Sequence, residues 1–199
     1  MANRREFIQT GMAVTAAASV AGPSAQAAMA APAAQPHRIH KVIYDGRFAE
    51  PVQFARAAEA LGLQAHAISG DMTALWYEEL DGLWRKEPMA IAGMTPHGPM
   101  FCFEMLARDR GMRLVYQAEH QITDAEVRHT VSGALPSLRR SAGLTRSGAA
   151  WPELMASLVA DTPALPALDG AVDIATRTPA GGAAEEPLFT WVIAPVPQA

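Results

Sequence analysis

Residues 89–111, MAIAGMTPHGPMFCFEMLARDRG, carry the pattern that decides the fold. The run 89–94 is short and wholly apolar, which is typical of a strand buried on both faces of a parallel sheet. Residues 98–111 predict a helix, with a proline suited to its first turn and a glycine just past its end. Between strand and helix, His97 lies in a corner between a proline and a glycine. The stretch therefore predicts a strand–turn–helix unit with a histidine at the turn.

The same alternation extends on both sides of this unit. Strands are predicted at 40–45, 63–69, 89–94 and 112–120, and helices at 50–62, 70–88 and 98–111. Strand and helix in turn, with short loops, indicate a parallel sheet with right-handed crossovers. The predicted fold class is α/β: a three-layer, mainly parallel sheet with flanking helices, flavodoxin-like or Rossmann-like.

The second half of the chain is less regular. The stretch TDAE, 123–126, has capping-box spacing, yet VRHTVSG, 127–133, fits a strand equally well. Residues 149–161 predict a short helix. Residues 171–178 and 188–196 predict two strands joined by a Gly/Ala-rich loop, either as a terminal hairpin or as two edge strands. These C-terminal strands are candidates for antiparallel pairing.

The bulk composition indicates one domain and excludes some classes of partner. The chain has 199 residues, 50% of them hydrophobic, which is enough for one core, and we assign 40–199 to a single α/β domain. The formal net charge is −4 and no clustered basic run is visible, which excludes a typical nucleic-acid-binding surface. The single cysteine, Cys102, cannot close an internal disulfide, and its position between two phenylalanines predicts a core role.

The first residues have the three-part order of a secretory signal. A basic start is followed by an apolar stretch at 11–22 and then by small residues with A-x-A spacing. The apolar stretch is too short to span a bilayer, which needs about twenty residues, so we expect no stable membrane anchor. We assign 1–27 to the signal, with cleavage after Ala27 or alternatively after Ala30, and 28–39 to an extended lead-in.

The segment NRREFIQTG resembles the twin-arginine (Tat) signal pattern of bacteria. Arg4, Arg5 and Phe7 occupy the positions of the two arginines and the phenylalanine, with an apolar residue following. The resemblance implies export of the folded protein to the periplasm by the Tat translocase, sometimes with a bound cofactor or partner. The sequence identifies no cofactor. A general secretory signal that happens to contain two arginines is the alternative.

Polar residues follow the predicted parallel strands at their carboxyl ends. In an open parallel sheet, ligands bind in the crevice outside those ends, where the strand order reverses. The start of the third helix adds free N–H groups suited to a carboxylate or phosphate. The candidate ligand-binding residues are Asp45, Asp71, Thr95, His97, Gly98 and Glu119, and the candidate catalytic residues are His97, His120 and Glu119.

Each candidate also has a structural explanation. Asp71 is first of all an N-cap, and the histidine at the corner could serve its own loop. Glu119 and His120 end a strand, where polar residues are common, and His129 is expected at the surface. A metal site made of His97, Glu119 and His120 would require the third and fourth strands to be adjacent, and we assign no metal.

Known catalytic motifs are missing. The spacing Gly93–Gly98 is that of a phosphate-binding loop, but the lysine such a loop requires is absent. GxGxxG after the first strand and GxSxG are also absent. We therefore expect a periplasmic protein that binds a small organic ligand, for which the helix start would suit an anion, either as accessory to a larger exported enzyme or as a homodimer. The alternatives are a hydrolase or isomerase with His97 or His120 as general base, and a purely structural partner-binding module.

Overall fold

Three parallel strands form the first half of the sheet. In this computed structural model, which describes residues 35–164, 168, 170–177 and 186–195, β1 (Ile39–Asp45) lies between β2 (Ala65–Ile68) and β3 (Ala90–Pro96). All seven residues of β3 are buried, as its apolar sequence predicts. The proposed signal at 1–27 and the first part of the lead-in lie outside the described residues.

Helical segments connect the strands and cover both faces of the sheet. The second crossover is a helix interrupted by a π-helical turn, Trp76–Leu80. The regular helices are α1 (Ala49–Ala60), α2 (Thr73–Leu75), α3 (Asp81–Lys86), α4 (His97–Arg108), α5 (Leu135–Ser141) and α6 (Trp151–Ala160), with 3₁₀ turns at Ala142–Arg146 and Gly148–Ala150. None of the described helices is long and apolar enough to cross a membrane.

The remaining strands make the sheet mixed. β4 (Met112–Ile122), β5 (Glu126–Gly133), β6 (Gly170–Arg177) and β7 (Leu188–Pro195) complete the order β2-β1-β3-β7-β4-β5-β6. β7 is antiparallel to both β3 and β4, so β4 runs in the same direction as β3 without touching it. Residues 127–133, left open by the sequence, are a strand.

Of the two arrangements expected for the last two strands, the terminal hairpin is wrong, and the pair of edge strands is right for β6 and wrong for β7. β6 lies at the edge of the sheet, whereas β7 is inserted at its centre between β3 and β4. The physical reason is burial: the first seven of the eight residues of β7 are buried, which requires neighbours on both sides and layers on both faces. The antiparallel orientation considered for these strands is confirmed.

Two hydrophobic clusters pack on opposite faces of the sheet. One joins α1 and α6 to even-numbered positions of β7 such as Val192, and the other joins α2, α3 and α4 to odd-numbered positions such as Trp191. Since side chains alternate between the faces of a strand, the two clusters are separate layers. The three-layer α/β class predicted from the sequence is confirmed. The outer face of β5 and β6 carries alternating exposed residues.

Close packing at the centre of the sheet depends on a glycine. A Cβ atom at Gly93 would lie 2.4 Å from the carbonyl oxygen of Ile43 and 2.5 Å from Cζ2 of Trp191. The indole ring occupies this space and donates a hydrogen bond from Nε1 to Oγ1 of Thr95, at 3.2 Å. A glycine inside a strand marks such a close approach.

The core role expected for Cys102 is wrong, because the thiol is exposed on α4. Only Phe103 of the sequence Phe101-Cys102-Phe103 faces the sheet, where it is fully buried against Trp191. At a helical spacing of 100° per residue, three consecutive apolar residues cannot all face one core.

Candidate functional site

The chain reverses its direction of travel across the sheet between β1 and β3. After β1 it passes into α1 on one face, and after β3 it passes into α4 on the opposite face. Because these strands are parallel neighbours, their carboxyl ends and the two helix starts border one crevice. This is the topological switch point at which open α/β sheets bind ligands.

A positioned arginine lies at the end of β1. Arg47 donates from Nε to Oδ1 of Asp45 at 2.9 Å and from Nη2 to Oδ2 at 2.6 Å, and its own backbone N–H donates to Oδ1 at 3.1 Å. Asp45 is fully buried, while the arginine side chain is 48% exposed. These hydrogen bonds to Asp45 raise the pKa of the Arg47 guanidinium, and the charge of Glu186 contributes in the same direction. This bidentate salt bridge fixes a cation at the carboxyl end of β1, beside the loop that follows β2.

The loop after β2 makes room for this guanidinium. Gly70 has a φ of +80°, and a Cβ atom there would lie 2.9 Å from Nη2 of Arg47. A side chain at this position would therefore displace the arginine as well as strain the backbone. Sequence analysis assigned Asp45 to the site but missed Arg47. The available indication was Asp-Gly-Arg directly after a predicted strand.

The start of α4 forms the other side of the crevice. His97 and Gly98 are exposed at the first two helical positions, no side chain caps the helix, and its first turn contains no acidic residue. The imidazole of His97 stacks on Phe101, with ring centroids 5.8 Å apart, and meets the edge of Phe189 at 5.4 Å. Its two aromatic neighbours hold His97 at the surface without a hydrogen bond from any described residue.

The structure gives the other candidates different surroundings. Thr95 is buried, and its hydroxyl donates to the carbonyl of Pro96 and accepts from an indole. Asp71 accepts the backbone N–H of Thr73 at 2.8 Å, so its carboxylate starts α2 and lies beyond β2. Glu119 is half-buried at the end of β4, opposite Phe189 in register, and accepts a hydrogen bond from Gln121.

His120 does not share the crevice with His97. It is fully buried on the opposite face of the sheet, where its ring packs against Trp151 with centroids 4.6 Å apart. His129, expected at the surface, is also fully buried there, and this prediction is wrong. The two histidines are direct partners across β4 and β5, and the alternation of β5 turns His129 inward with its valine neighbours.

The histidine pair is part of a continuous hydrogen-bond chain. Nδ1 of His120 and Nδ1 of His129 are 2.7 Å apart, and the outer nitrogens reach Thr190 at 2.8 Å and Thr176 at 3.0 Å. Thr176 in turn donates to the carbonyl of Leu144 at 2.6 Å. The carbonyl of Leu144 can only accept. When both rings are neutral, every hydrogen bond in the row therefore has one direction, and each group donates to its neighbour on the side of Leu144.

Burial keeps both rings neutral. Desolvation lowers the pKa of His120 well below its usual range, with a further contribution from the charge of His129. Desolvation also lowers the pKa of His129 from 6.5 to about 4. A single proton lies between two nitrogens only 2.7 Å apart, which leaves no room for a metal ion at ordinary Zn–N distances of about 2.0–2.1 Å. Within the ranges the structure describes, no group of three or more histidine, cysteine or carboxylate side chains could hold a metal ion.

Comparison with protein-family models, with curated proteins and with solved structures found no match to the chain.

Proposed function

We propose that the protein is exported to the periplasm and binds a small anionic organic ligand in the crevice between β1 and β3. The single observation that carries this proposal is Arg47, which a buried carboxylate holds in a bidentate salt bridge at the carboxyl end of β1, one of the two strands that border the topological switch point. Such a fixed cation loses little side-chain freedom when an anion binds, which favours affinity.

The electrostatics of the crevice favour an anion on the α4 side. A helix start carries a partial positive charge and free N–H groups, and the first turn of α1 contains Glu50 whereas that of α4 has no acidic residue. The charge of Glu186, two residues before β7, also acts on Arg47 and opposes an anion there, so the helix start of α4 is the more favourable side. Nη1 of Arg47 has no hydrogen-bond acceptor among the described residues and is available to a ligand. The backbone N–H groups of His97 and Gly98 complete the donor set.

An enzyme is the second hypothesis, but the surroundings of His97 favour a ligand-binding protein without catalytic activity. A general base is normally oriented by a hydrogen-bonded partner. Among the described residues His97 has aromatic neighbours and no such partner, and His120 is shielded from the crevice by its burial. A role as accessory to a larger exported enzyme is compatible with a binding site of this kind.

Isothermal titration with inorganic phosphate and with acetate tests the binding proposal. A charge-assisted hydrogen bond contributes about 1.5–3 kcal/mol, so Arg47→Gln should weaken binding about 10- to 100-fold. The double variant Asp45→Asn with Arg47→Gln, which leaves no unpaired buried carboxylate, should bind equally weakly. Arg56→Gln, an exposed arginine near the middle of α1, is the matched control and should bind as the wild type does. Equal affinity of all four proteins would contradict the proposal.

The export proposal has a separate test. Replacing Arg4 and Arg5 together by lysine should retain the full-length precursor in the cytoplasm, because the Tat translocase reads the arginine pair. Fractionation of cells expressing the wild type should place a shortened protein in the periplasm. Export of the double-lysine variant to wild-type levels would instead indicate a general secretory signal.

A further inference from the structure

β6 is a long edge strand whose outer side is unpaired within the part of the chain that the structure describes. It pairs with β5 along its whole length, from Glu126↔Arg177 to Gly133↔Gly170, without a register shift. No described residue makes a backbone hydrogen bond to the other side of β6. The opposite edge of the sheet, β2, has only four residues, and a short strand is itself protected from further pairing.

Several of the usual protections of an edge strand are missing from β6. Its sequence GAVDIATR contains no proline and no lysine, and no charged side chain points inward. The outward positions alternate between small and charged residues, and all are exposed: Ala171, Asp173, Ala175 and Arg177. A regular, unprotected edge of this length is a template for another strand.

We propose that a second copy of this chain pairs with β6 in antiparallel orientation, about a two-fold axis at Ala175. In this register Asp173 of each copy lies opposite Arg177 of the other, so two opposite-charge pairs form by symmetry. Cross-strand pairs of opposite charge stabilise a sheet, and like charges directly opposite destabilise it. The charge pattern of the strand is thus complementary to itself.

The alternative symmetric registers lose this complementarity. An axis at Asp173 places two carboxylates opposite each other, and an axis at Arg177 does the same with two guanidinium groups. An axis at Ile174 pairs Asp173 with Ala175 and leaves its charge without an opposite partner. The carboxylate of Asp173 is already oriented on the outer face, because it accepts the hydroxyl of Thr130 at 2.8 Å.

Pairing of this kind leaves the crevice between β1 and β3 accessible. Because the two β6 strands are antiparallel, the carboxyl ends of the parallel strands point to opposite ends of the joined sheet. The small side chain of Ala175 at the axis allows the two backbones to approach to ordinary sheet spacing. Dimerisation is therefore independent of ligand binding at the crevice, and the two proposals are tested separately.

Cross-linking of the full chain tests the position of the axis. The exposed Cys102 is first replaced by serine, and Ala175→Cys is added. Residues opposite each other at the axis have Cα atoms about 4.5–5.5 Å apart, within the range of a disulfide. Mild oxidation should therefore convert most of the protein into a covalent dimer. The control Ala171→Cys lies about 27 Å from its symmetry mate, at about 3.4 Å per residue, and should stay monomeric. The proposal is overturned if both cysteine variants form a covalent dimer, or if neither variant does.

Charge reversal tests the register in solution. Light scattering after size exclusion should show a dimer for the wild type. Asp173→Arg places arginine opposite arginine twice, so its dimer dissociation constant should be at least tenfold larger. The swap Asp173→Arg with Arg177→Asp should restore the wild-type constant, and circular dichroism checks that each variant folds. A monomeric wild type, or a swap no better than the single variant, overturns the proposal.

Discussion

Acid should destabilise the protein between pH 6.5 and pH 4 through the buried pair His120–His129. In the unfolded chain both imidazoles bind protons near pH 6.5, whereas desolvation delays protonation of the folded His129 to a pKa of about 4. Between these values the unfolded state holds more protons, so the free energy of unfolding rises with pH. The contribution of the buried neutral histidines to the free energy of unfolding is fully present above pH 6.5 and is lost as the pH falls from 6.5 to about 4.

The magnitude follows from the two pKa values of His129. Because the pKa of His129 is lowered from 6.5 to about 4, the free energy of unfolding is about 3 kcal/mol smaller below pH 4 than at neutral pH. About 2 kcal/mol of this loss has already occurred at pH 5. His120, whose pKa burial lowers further, adds a loss of the same sign. Asp71 and Asp81, whose pKa values are lowered by hydrogen bonds from Thr73 and from Arg85 and Arg110, lose their contribution only below about pH 4. Measurements from pH 8 to pH 5 therefore avoid these carboxylates. His37, whose pKa is also lowered by burial, adds a loss of the same sign, so the variant at His129 is needed to assign the effect to the pair.

Urea unfolding followed by tryptophan fluorescence is the assay. With a denaturant slope of roughly 2 kcal/mol per molar, a loss of about 2 kcal/mol lowers the midpoint by about 1 M. His129→Gln removes one titrating ring, so its total loss between pH 8 and pH 5 should be about 2 kcal/mol smaller than that of the wild type. His66→Gln, a half-buried histidine on β2 outside the hydrogen-bond chain, should keep the wild-type pH dependence. A flat wild-type profile, or an unchanged one in His129→Gln, would refute neutral burial of the pair.

Two substitutions test packing and charge burial by thermal denaturation. Gly93→Ala forces a Cβ to within 2.4 Å of the carbonyl oxygen of Ile43 and should destabilise the fold by about 3 kcal/mol. In the control Gly82→Ala on α3, the added Cβ meets nothing within 4 Å and should stabilise the fold by about 0.5–1 kcal/mol. Equal effects of the two substitutions would contradict the close packing at β3. Asp45→Asn removes the charge partner of Arg47 at a fully buried position and should lower stability by about 2 kcal/mol, and a change below about 0.5 kcal/mol would show that the bidentate salt bridge is not formed.

The first half of the fold follows from local pattern. Each strand and helix from 40 to 120 was predicted from apolar runs bounded by proline and glycine, because alternating units of this kind have few arrangements available. The parallel neighbours β1, β2 and β3, with crossovers on both faces, place the topological switch point at the carboxyl ends of β1 and β3, and ligand binding there stays a prediction.

The position of β7 could not be predicted from local pattern. A strand more than 60 residues along the chain from its neighbours β3 and β4 is placed by burial and by backbone pairing, and only the apolar run of β7 carried that information. Its insertion separates β3 from β4 and sets His97 apart from His120. The metal alternative that required adjacent strands is thereby removed.

The buried histidine pair and Arg47 were missed for a related reason. The polar sequence around His129 is ordinary for a surface strand, and its burial depends on α6 and a 3₁₀ turn that pack across it from later in the chain. Arg47 depends on a bidentate salt bridge with Asp45 and on space left by Gly70 in the loop after β2. Contacts between separate elements, more than residue type, define these sites.

A phosphate titration followed by ¹H–¹⁵N NMR tests the crevice between β1 and β3 most directly. Saturable shifts are expected, largest at the backbone N–H groups of His97 and Gly98 and at Nε of Arg47, and absent in Arg47→Gln. Shifts that do not saturate, or that are largest at the amino ends of the strands, would contradict ligand binding in the crevice.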